Sequence, residues 1–263
     1  MNSKPDTFAH TGVVYLVGAG PGDPELLTLK ALRLLGEADV IVHDHLVSAE
    51  VLALARRDAE RVFVGKKGGG FCCPQNEIET ILVHLAFAGK KVVRLKGGDP
   101  FIFGRGGEEA EALVAAGVPF EIVPGVTSAL AAAAYAGVPL THRTHSSGVV
   151  FLTGHEDPKK ADTAIQWEDY AKLGATLCIY MGMKNLETIA RRLQAGGLAA
   201  ETPVAVVQSA TTSAHRQLLS TLGEVALVSE REGFGAPAIV VVGEVAALAD
   251  KLAWFEAAKT AAR

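Results

Sequence analysis

The sequence predicts an α/β protein of two domains. Three observations lead there. A chain of 263 residues exceeds the usual size of one compact domain. Short β-branched runs alternate with helix-length segments, the order that builds a mostly parallel sheet covered by helices. A polar, basic tract, PLTHRTHSS at 139–147, then interrupts the apolar texture and marks a boundary between domains at 12–140 and 147–250.

In the first domain the expected strands are VVYLVGAG (13–20), DVIVHD (39–44), RVFVG (61–65), KVVRLKGG (91–98) and FEIVPG (120–125). Between them lie amphipathic stretches such as Ile78, Ile81, Leu82 and Leu85, whose spacing puts them on one face of a helix. The second domain repeats the pattern with GVVFLTGH (148–155), ATLCIYMG (175–182), PVAVVQSA (203–210) and AIVVVGEV (238–245). QLLSTLGEV (217–225) fits an added antiparallel piece, and the first ten residues and the Ala/Lys/Arg tail read as frayed ends.

Hydrophobic residues make up 49% and charged residues 21%, enough apolar material for a core in each half. A net charge of -4 argues against a nucleic-acid binder that works by neutralising phosphates. The three cysteines, Cys72, Cys73 and Cys178, lack the spacing of a zinc or redox motif, so a reducing, cytoplasmic setting and no metal are expected. The polar start, MNSKPDTFAH, lacks the apolar stretch of a secretory signal. Residues 122–140 carry no charge, but Pro124, Gly125, Gly137 and Pro139 break them, and a buried strand, turn and helix suit them better than a membrane span.

The first strand ends in GAGPGD, which looks like a dinucleotide fingerprint. The match is incomplete: Asp23 stands where a third glycine or alanine belongs, and Pro21 removes an amide from the loop that would cradle phosphate. A tight turn with Asp23 at a helix start explains the segment as well. Asp44, ending the second strand, is placed to meet a ligand hydroxyl. His43 and His45 flank it, and because adjacent residues of a strand point to opposite faces, neither shares a metal with Asp44 readily.

The most informative segment is KGGDPFIFGRGGEE (96–109), after the fourth strand and opening a helix. Gly97 and Gly98 let backbone approach a ligand, Asp99 accepts from hydroxyl or ammonium groups, and Pro100 fixes the turn. Here the chain resembles the tetrapyrrole methylase family. The resemblance runs in order through VGAGPGDPELLTLKAL, HDHLV, VGKK, PQNEI, VRLKGGDPFIFGRGGEEAEAL, VPGVTSALAAAAYAGVPLTHR, YMGM and PAIVVVGEV. Two departures stand out: His43 where the family usually has tyrosine before the aspartate, and a GGGFCC loop (68–73) in place of a more polar stretch.

The resemblance implies two α/β domains with S-adenosylmethionine held folded in the cleft between them, and no metal. It carries cofactor contacts onto Pro21, Gly97, Gly98, Asp99, Ile102, Thr127, Ser128, Met181, Ala210, Pro237 and Ala238. A core methionine is the alternative for Met181, and a helix cap the alternative for Thr127 and Ser128. Within the family the motifs are most like those of members that C-methylate uroporphyrinogen III, rather than later corrin-ring methylases. Methyl transfer alone, on a polycarboxylate macrocycle, is therefore expected, with a non-catalytic tetrapyrrole binder as the rival outside enzymology. Arg105, with its planar donor fork, is the leading substrate ligand. Asp44, Leu46, Phe103 and Arg143 join it; Asp44 is a candidate to accept from pyrrole N–H groups and to take up the proton, and Glu108 to hold the guanidinium or assist proton transfer. Lys66, Lys67, His142 and His145 are candidate basic walls, and the family implies a homodimer.

Overall fold

The computed structural model describes residues 11–65, 73–155 and 165–255. The expectations for Lys66, Lys67, Cys72, most of the GGGFCC loop and both chain ends fall outside them. Contacts divide the chain into two units, Met1–Thr127 and Ser128–Arg263.

The first unit runs β1 (Val13–Gly18), α1 (Leu29–Glu37), β2 (Val40–His43), α2 (Ala49–Ala53), β3 (Glu60–Phe63), α3 (Gln75–Phe87), β4 (Lys91–Lys96), α4 (Gly106–Ala115) and β5 (Phe120–Val123). Its five strands are parallel, in the order β3-β2-β4-β1-β5. Polar side chains start the early helices: Thr28 Oγ1 accepts from the Ala31 amide at 3.1 Å, and Ser48 Oγ from the Val51 amide at 3.2 Å.

Alternation along the strands supplies two buried faces. Val17, Ile41, Val93 and Leu95 pack with Leu34 and Leu35 of α1 and Val51 of α2. Val14, Leu16, Val42 and Val92 pack with Ile78 and Leu82 of α3 and Leu113 of α4. Each such aliphatic side chain contributes about 1.5–3 kcal/mol through burial. The helices after β1 and β4 thus cover opposite faces, although β1 and β4 are neighbours. That reversal makes their carboxyl ends the topological switch point of the sheet, where doubly wound folds leave a crevice for ligands.

The second unit contains α5 (Ser128–Tyr135), β6 (Val149–Thr153), α6 (Trp167–Tyr170), β7 (Thr176–Tyr180), α7 (Leu186–Ala195), β8 (Pro203–Gln208), β9 (Arg216–Thr221), α8 (Val225–Arg231), β10 (Ala238–Val242) and α9 (Ala249–Leu252). The strand order is β6-β7-β10-β8-β9. Only β6 and β7 run parallel; β10 is antiparallel to β7 and β8, and β9 to β8. The link from β8 to β9 is too short for a crossover, which forces the antiparallel pairing expected for that segment. The strand stops at Thr221, and Val225 already belongs to α8.

The unit divide precedes the polar connector at 139–147. Small residues explain why α5 goes with the second unit: Ala129, Ala131, Ala132 and Ala133 are buried, which lets the helix lie close on β7, β8 and β10. Among the described residues no helix is long and apolar enough to cross a membrane. Cys178 is buried in β7, and burial pushes its thiol pKa up to about 12, which leaves it unreactive at neutral pH.

α6 is tied to α7 by a two-pronged ion pair, Arg192 Nε and Nη2 to the two oxygens of Glu168, both at 2.8 Å. The guanidinium hydrogen bonds hold the Glu168 pKa at about 2, below the ordinary 4.5. A depressed carboxylate stabilises the fold above its unfolded pKa, and that contribution is lost as pH falls from 4.5 toward 2. Glu168→Gln is therefore expected to lower Tm at pH 6 and to leave it nearly unchanged at pH 2, as measured by thermal unfolding.

Candidate active site

At the switch point the loops after β1 and β4 are joined backbone to backbone. The Gly98 amide donates to the Gly20 carbonyl at 2.7 Å, and the Gly20 amide returns a bond to Gly98 at 3.2 Å. Both residues hold positive φ, 69° and 68°, where a side chain is strained. The loop after β5 closes on the same point. A Cβ on Gly18 would lie 2.6 Å from Gly125 Cα and from the Gly98 carbonyl oxygen, and one on Gly125 would lie 2.4 Å from that oxygen. Three backbones thus meet where only glycine fits.

Asp99 fastens this junction. Its Oδ1 accepts from the Phe101 amide at 2.8 Å and its Oδ2 from the Gly125 amide at 3.0 Å. The sequence marks Asp99 as a ligand acceptor; the structure adds that it braces two loops. Asp23 does what the simpler account of GAGPGD expects, accepting from the Glu25 amide at 2.9 Å to cap a short 3-10 helix, Pro24–Leu26. Gly97 lies against Leu46, whose Cβ would be 2.8 Å from an added Cβ.

The strand ends of this unit gather most of the residues chosen from sequence: Pro21, Asp44, Leu46, Gly97, Gly98, Asp99, Ile102, Phe103, Arg105 and Glu108. Leu46, Phe101 and Phe103 are exposed here, an apolar rim beside charged groups. Phe103 and Arg105 both hold positive φ, 52° and 57°. Arg105 precedes α4, and its Nε donates to Glu108 Oε1 at 3.0 Å; both side chains stand at least half in solvent. Glu108 has a lowered pKa, first through its own backbone amide and then through Arg105.

Behind the rim lies a group that the motifs did not single out. Arg94, Lys96 and Glu109 are all buried. Arg94 Nε and Lys96 Nζ share Glu109 Oε1, at 3.0 and 2.8 Å. The far side of the Arg94 guanidinium reaches Asp44, with Nη2 3.7 Å from Oδ2, and Asp44 Oδ1 accepts from the Leu46 amide at 2.9 Å. Burial, and then Arg94, lower the Lys96 pKa, opposed by Glu109 and Asp44. One signal was present in the sequence: KVVRLK puts two cations two residues apart, on one face of a strand in a sheet expected to be covered by helices, where charges need partners.

In the second unit, antiparallel pairing brings the start of β10 to the ends of β7 and β8, with Ala238 opposite Gln208 and Ile239 opposite Tyr180. Met181, Ala210, Pro237 and Ala238 therefore share one edge of that sheet. Met181 is half exposed with a φ of 55°, so it is not a core methionine. Ala210 sits between Ser209 and Thr211, both at positive φ. Ser128 opens α5, and the next amide, Ala129, donates to the Tyr180 hydroxyl at 3.0 Å. Thr127 is buried. Arg143 stands exposed in a turn closed by His142 and Ser146, with the His142 and His145 rings 4.7 Å apart.

Residues 13–226 match the family model for tetrapyrrole (corrin/porphyrin) methylases. The chain belongs to the tetrapyrrole methylase family. It is 53% identical over 250 residues to a siroheme synthase of Azotobacter vinelandii, an alignment that takes in 95% of this chain and 53% of that protein. The chain thus spans about half the length of the siroheme synthases it matches. A uroporphyrin-III C-methyl transferase of Thermus thermophilus, solved with S-adenyl homocysteine, is 44% identical with a TM-score of 0.76, covering 90% of this chain and all of that one. A cobalt precorrin-4 methyltransferase is 30% identical with a TM-score of 0.80, covering 93% of this chain and 99% of that one. The glycine junction of this tetrapyrrole methylase leaves no room for a side chain. Gly125→Ala is expected to cost at least 1–3 kcal/mol through overpacking, whereas Gly36→Ala, in α1 with nothing within 4 Å of the new methyl, is neutral or gains up to about 1 kcal/mol. Chemical denaturation of both variants checks the contrast.

Proposed function

We propose that this chain is an S-adenosylmethionine-dependent C-methyltransferase acting on uroporphyrinogen III at C2 and C7, giving precorrin-2 by way of precorrin-1. What carries the proposal is the braced glycine junction at the switch point, inside a chain 44% identical along the full length of a uroporphyrin-III C-methyl transferase. The residues present suit the cofactor: glycine backbones open to close approach, Asp99 with further lone pairs beyond its two amide bonds, and an apolar wall at Ile102. Pro21, Gly97, Gly98, Asp99, Ile102 and Thr127 are its proposed contacts in the first unit. Ser128, Met181, Ala210, Pro237 and Ala238 are those in the second.

When bound, the cofactor supplies an electrophilic methyl group, and the electron-rich pyrrole carbon of the substrate is the nucleophile. The protein's part is to orient the ring, exclude water and accept a proton. The exposed Leu46 and Phe103 give a macrocycle an apolar seat, while Arg105 and Arg143 meet its carboxylates. Asp44, held through Leu46 and Arg94, is the proposed proton acceptor. Glu108 holds the Arg105 side chain, so its effect on turnover runs through that guanidinium. A later precorrin is the alternative substrate, favoured by the high structural likeness to a cobalt precorrin-4 methyltransferase. We propose a cytoplasmic homodimer, which light scattering at micromolar concentration tests.

Incubation with labelled S-adenosylmethionine and freshly generated uroporphyrinogen III under anaerobic conditions is expected to add two methyl groups by mass, with a one-methyl intermediate at early times. No mass gain with this substrate, but gain with a later precorrin, moves the assignment to the alternative. Arg105→Ala is expected to lower kcat/KM for the macrocycle roughly 10–100-fold, the size of a lost charged hydrogen bond, with cofactor affinity kept. Asp99→Ala is expected to weaken cofactor binding by about 1.5–3 kcal/mol; unchanged calorimetric affinity in the folded variant removes Asp99 from the site.

A further inference from the structure

The charges behind the rim form a line: Asp44, Arg94, Glu109, Lys96. Two carboxylates and two cations balance, yet the arrangement is lopsided. Glu109 is fully buried in the first turn of α4 and takes both cations on a single oxygen, while Oε2 has no hydrogen-bond partner among the described residues. Other even-numbered positions on this face of the sheet, such as Val92 and Val42, carry apolar packing. A buried ion group of this kind is often no more stabilising than hydrophobic side chains of the same volume, so stability alone does not account for it.

What the group does fix is the Arg94 guanidinium. Nε is held by Glu109, Nη1 donates to the Leu95 carbonyl at 3.2 Å, and Nη2 is left facing Asp44. We propose that Glu109 is a positioning residue for methyl transfer, clamping Arg94 so that its guanidinium orients the Asp44 carboxylate and sets its basicity. Lys96 balances the charge that this clamp buries. The proposal rests on Asp44 being the proton acceptor. Among the described residues the charged groups within the cluster are those four; Glu108, paired with Arg105 at the surface, also feels Lys96, and the His43 ring turns toward Phe63. From α3, packed against α4, the buried residues are Ile78, Leu82 and Ala86, with Glu77 and His84 in solvent.

Glu109→Gln keeps an acceptor for Arg94 but removes the negative charge, leaving Asp44 in a more positive field. Lys96→Met does the reverse. The expected signature is a pair of opposite displacements in the acid limb of the kcat–pH profile: downward for Glu109→Gln and upward for Lys96→Met. Each is on the order of one pH unit, the scale of a unit charge acting across a guanidinium in a protein site. Glu109→Gln also lowers kcat about tenfold or more, an estimate for a disturbed base, while S-adenosylmethionine affinity stays within about twofold, since no cofactor contact is removed. The double variant Lys96→Met/Glu109→Gln, neutral overall, returns the limb toward its original position. A purely structural Glu109 would lower Tm and leave the limb in place, and that result overturns the proposal. Should Glu109→Gln fail to fold, Lys96→Met decides alone: an upward shift supports the clamp and an unmoved limb overturns it. Asp44→Asn separates this from the reading beneath it, because full turnover there removes Asp44 as the acceptor, whereas its loss of turnover beside an unshifted Glu109→Gln profile defeats only the clamp.

Discussion

The first unit depends on one close approach of backbone to backbone. Gly18 at the end of β1, and Gly98 and Gly125 from the loops after β4 and β5, come within the space that a single methyl group would fill. The contact is possible because β4, β1 and β5 are adjacent in a parallel sheet, so their carboxyl ends emerge side by side. It is held because Asp99 accepts an amide from its own loop and another from the β5 loop. Loops that pay so little in side-chain volume expose backbone instead, and backbone is what a folded, uncharged-edged ligand such as an adenosyl group can be matched against.

A second constraint comes from the fold of the strand before that loop. β4 is central, with β2 on one side and β1 on the other, so every side chain on it after Lys91 is buried. Arg94 and Lys96 nevertheless point to the α4 face, where an acid arriving on that helix, with Asp44 on the far side of Arg94, offsets their desolvation. Glu109 does so, and the burial that remains still lowers the Lys96 pKa. The exposed Arg105–Glu108 pair one turn earlier is a different object: solvent screens it, and it contributes little to stability, which leaves both side chains free to serve a ligand.

The second unit reaches a similar edge by other means. Its sheet is mixed, and because β10 runs against both neighbours its first residues lie beside the last residues of β7 and β8. Positive φ at Met181, Ser209 and Thr211 turns the chain sharply there. Backbone held in this way by non-glycine residues is uncommon in loops that only connect strands, and it tends to gather at functional edges.

The sequence by itself determined the α/β class, the order of the strands along the chain and where the glycine-marked turns fall, because β-branched runs and such turns are local signals. GAGPGD and KGGD were legible as special turns, and Asp44, Asp99 and Arg105 as polar residues after strands. Which loops touch was not legible: the Gly18–Gly98–Gly125 junction joins residues far apart in the chain, and strand order within a sheet leaves no local trace. The buried Arg94–Glu109–Lys96 group was half visible, as two cations on a strand expected to be covered, but their acid partner belongs to a helix whose first turn also carries Glu108. Only tertiary packing decided between the two glutamates, since it buries Glu109 against the sheet and leaves Glu108 in water. The placement of α5 with the second unit was likewise tertiary, settled by how closely a run of alanines lets a helix approach a sheet.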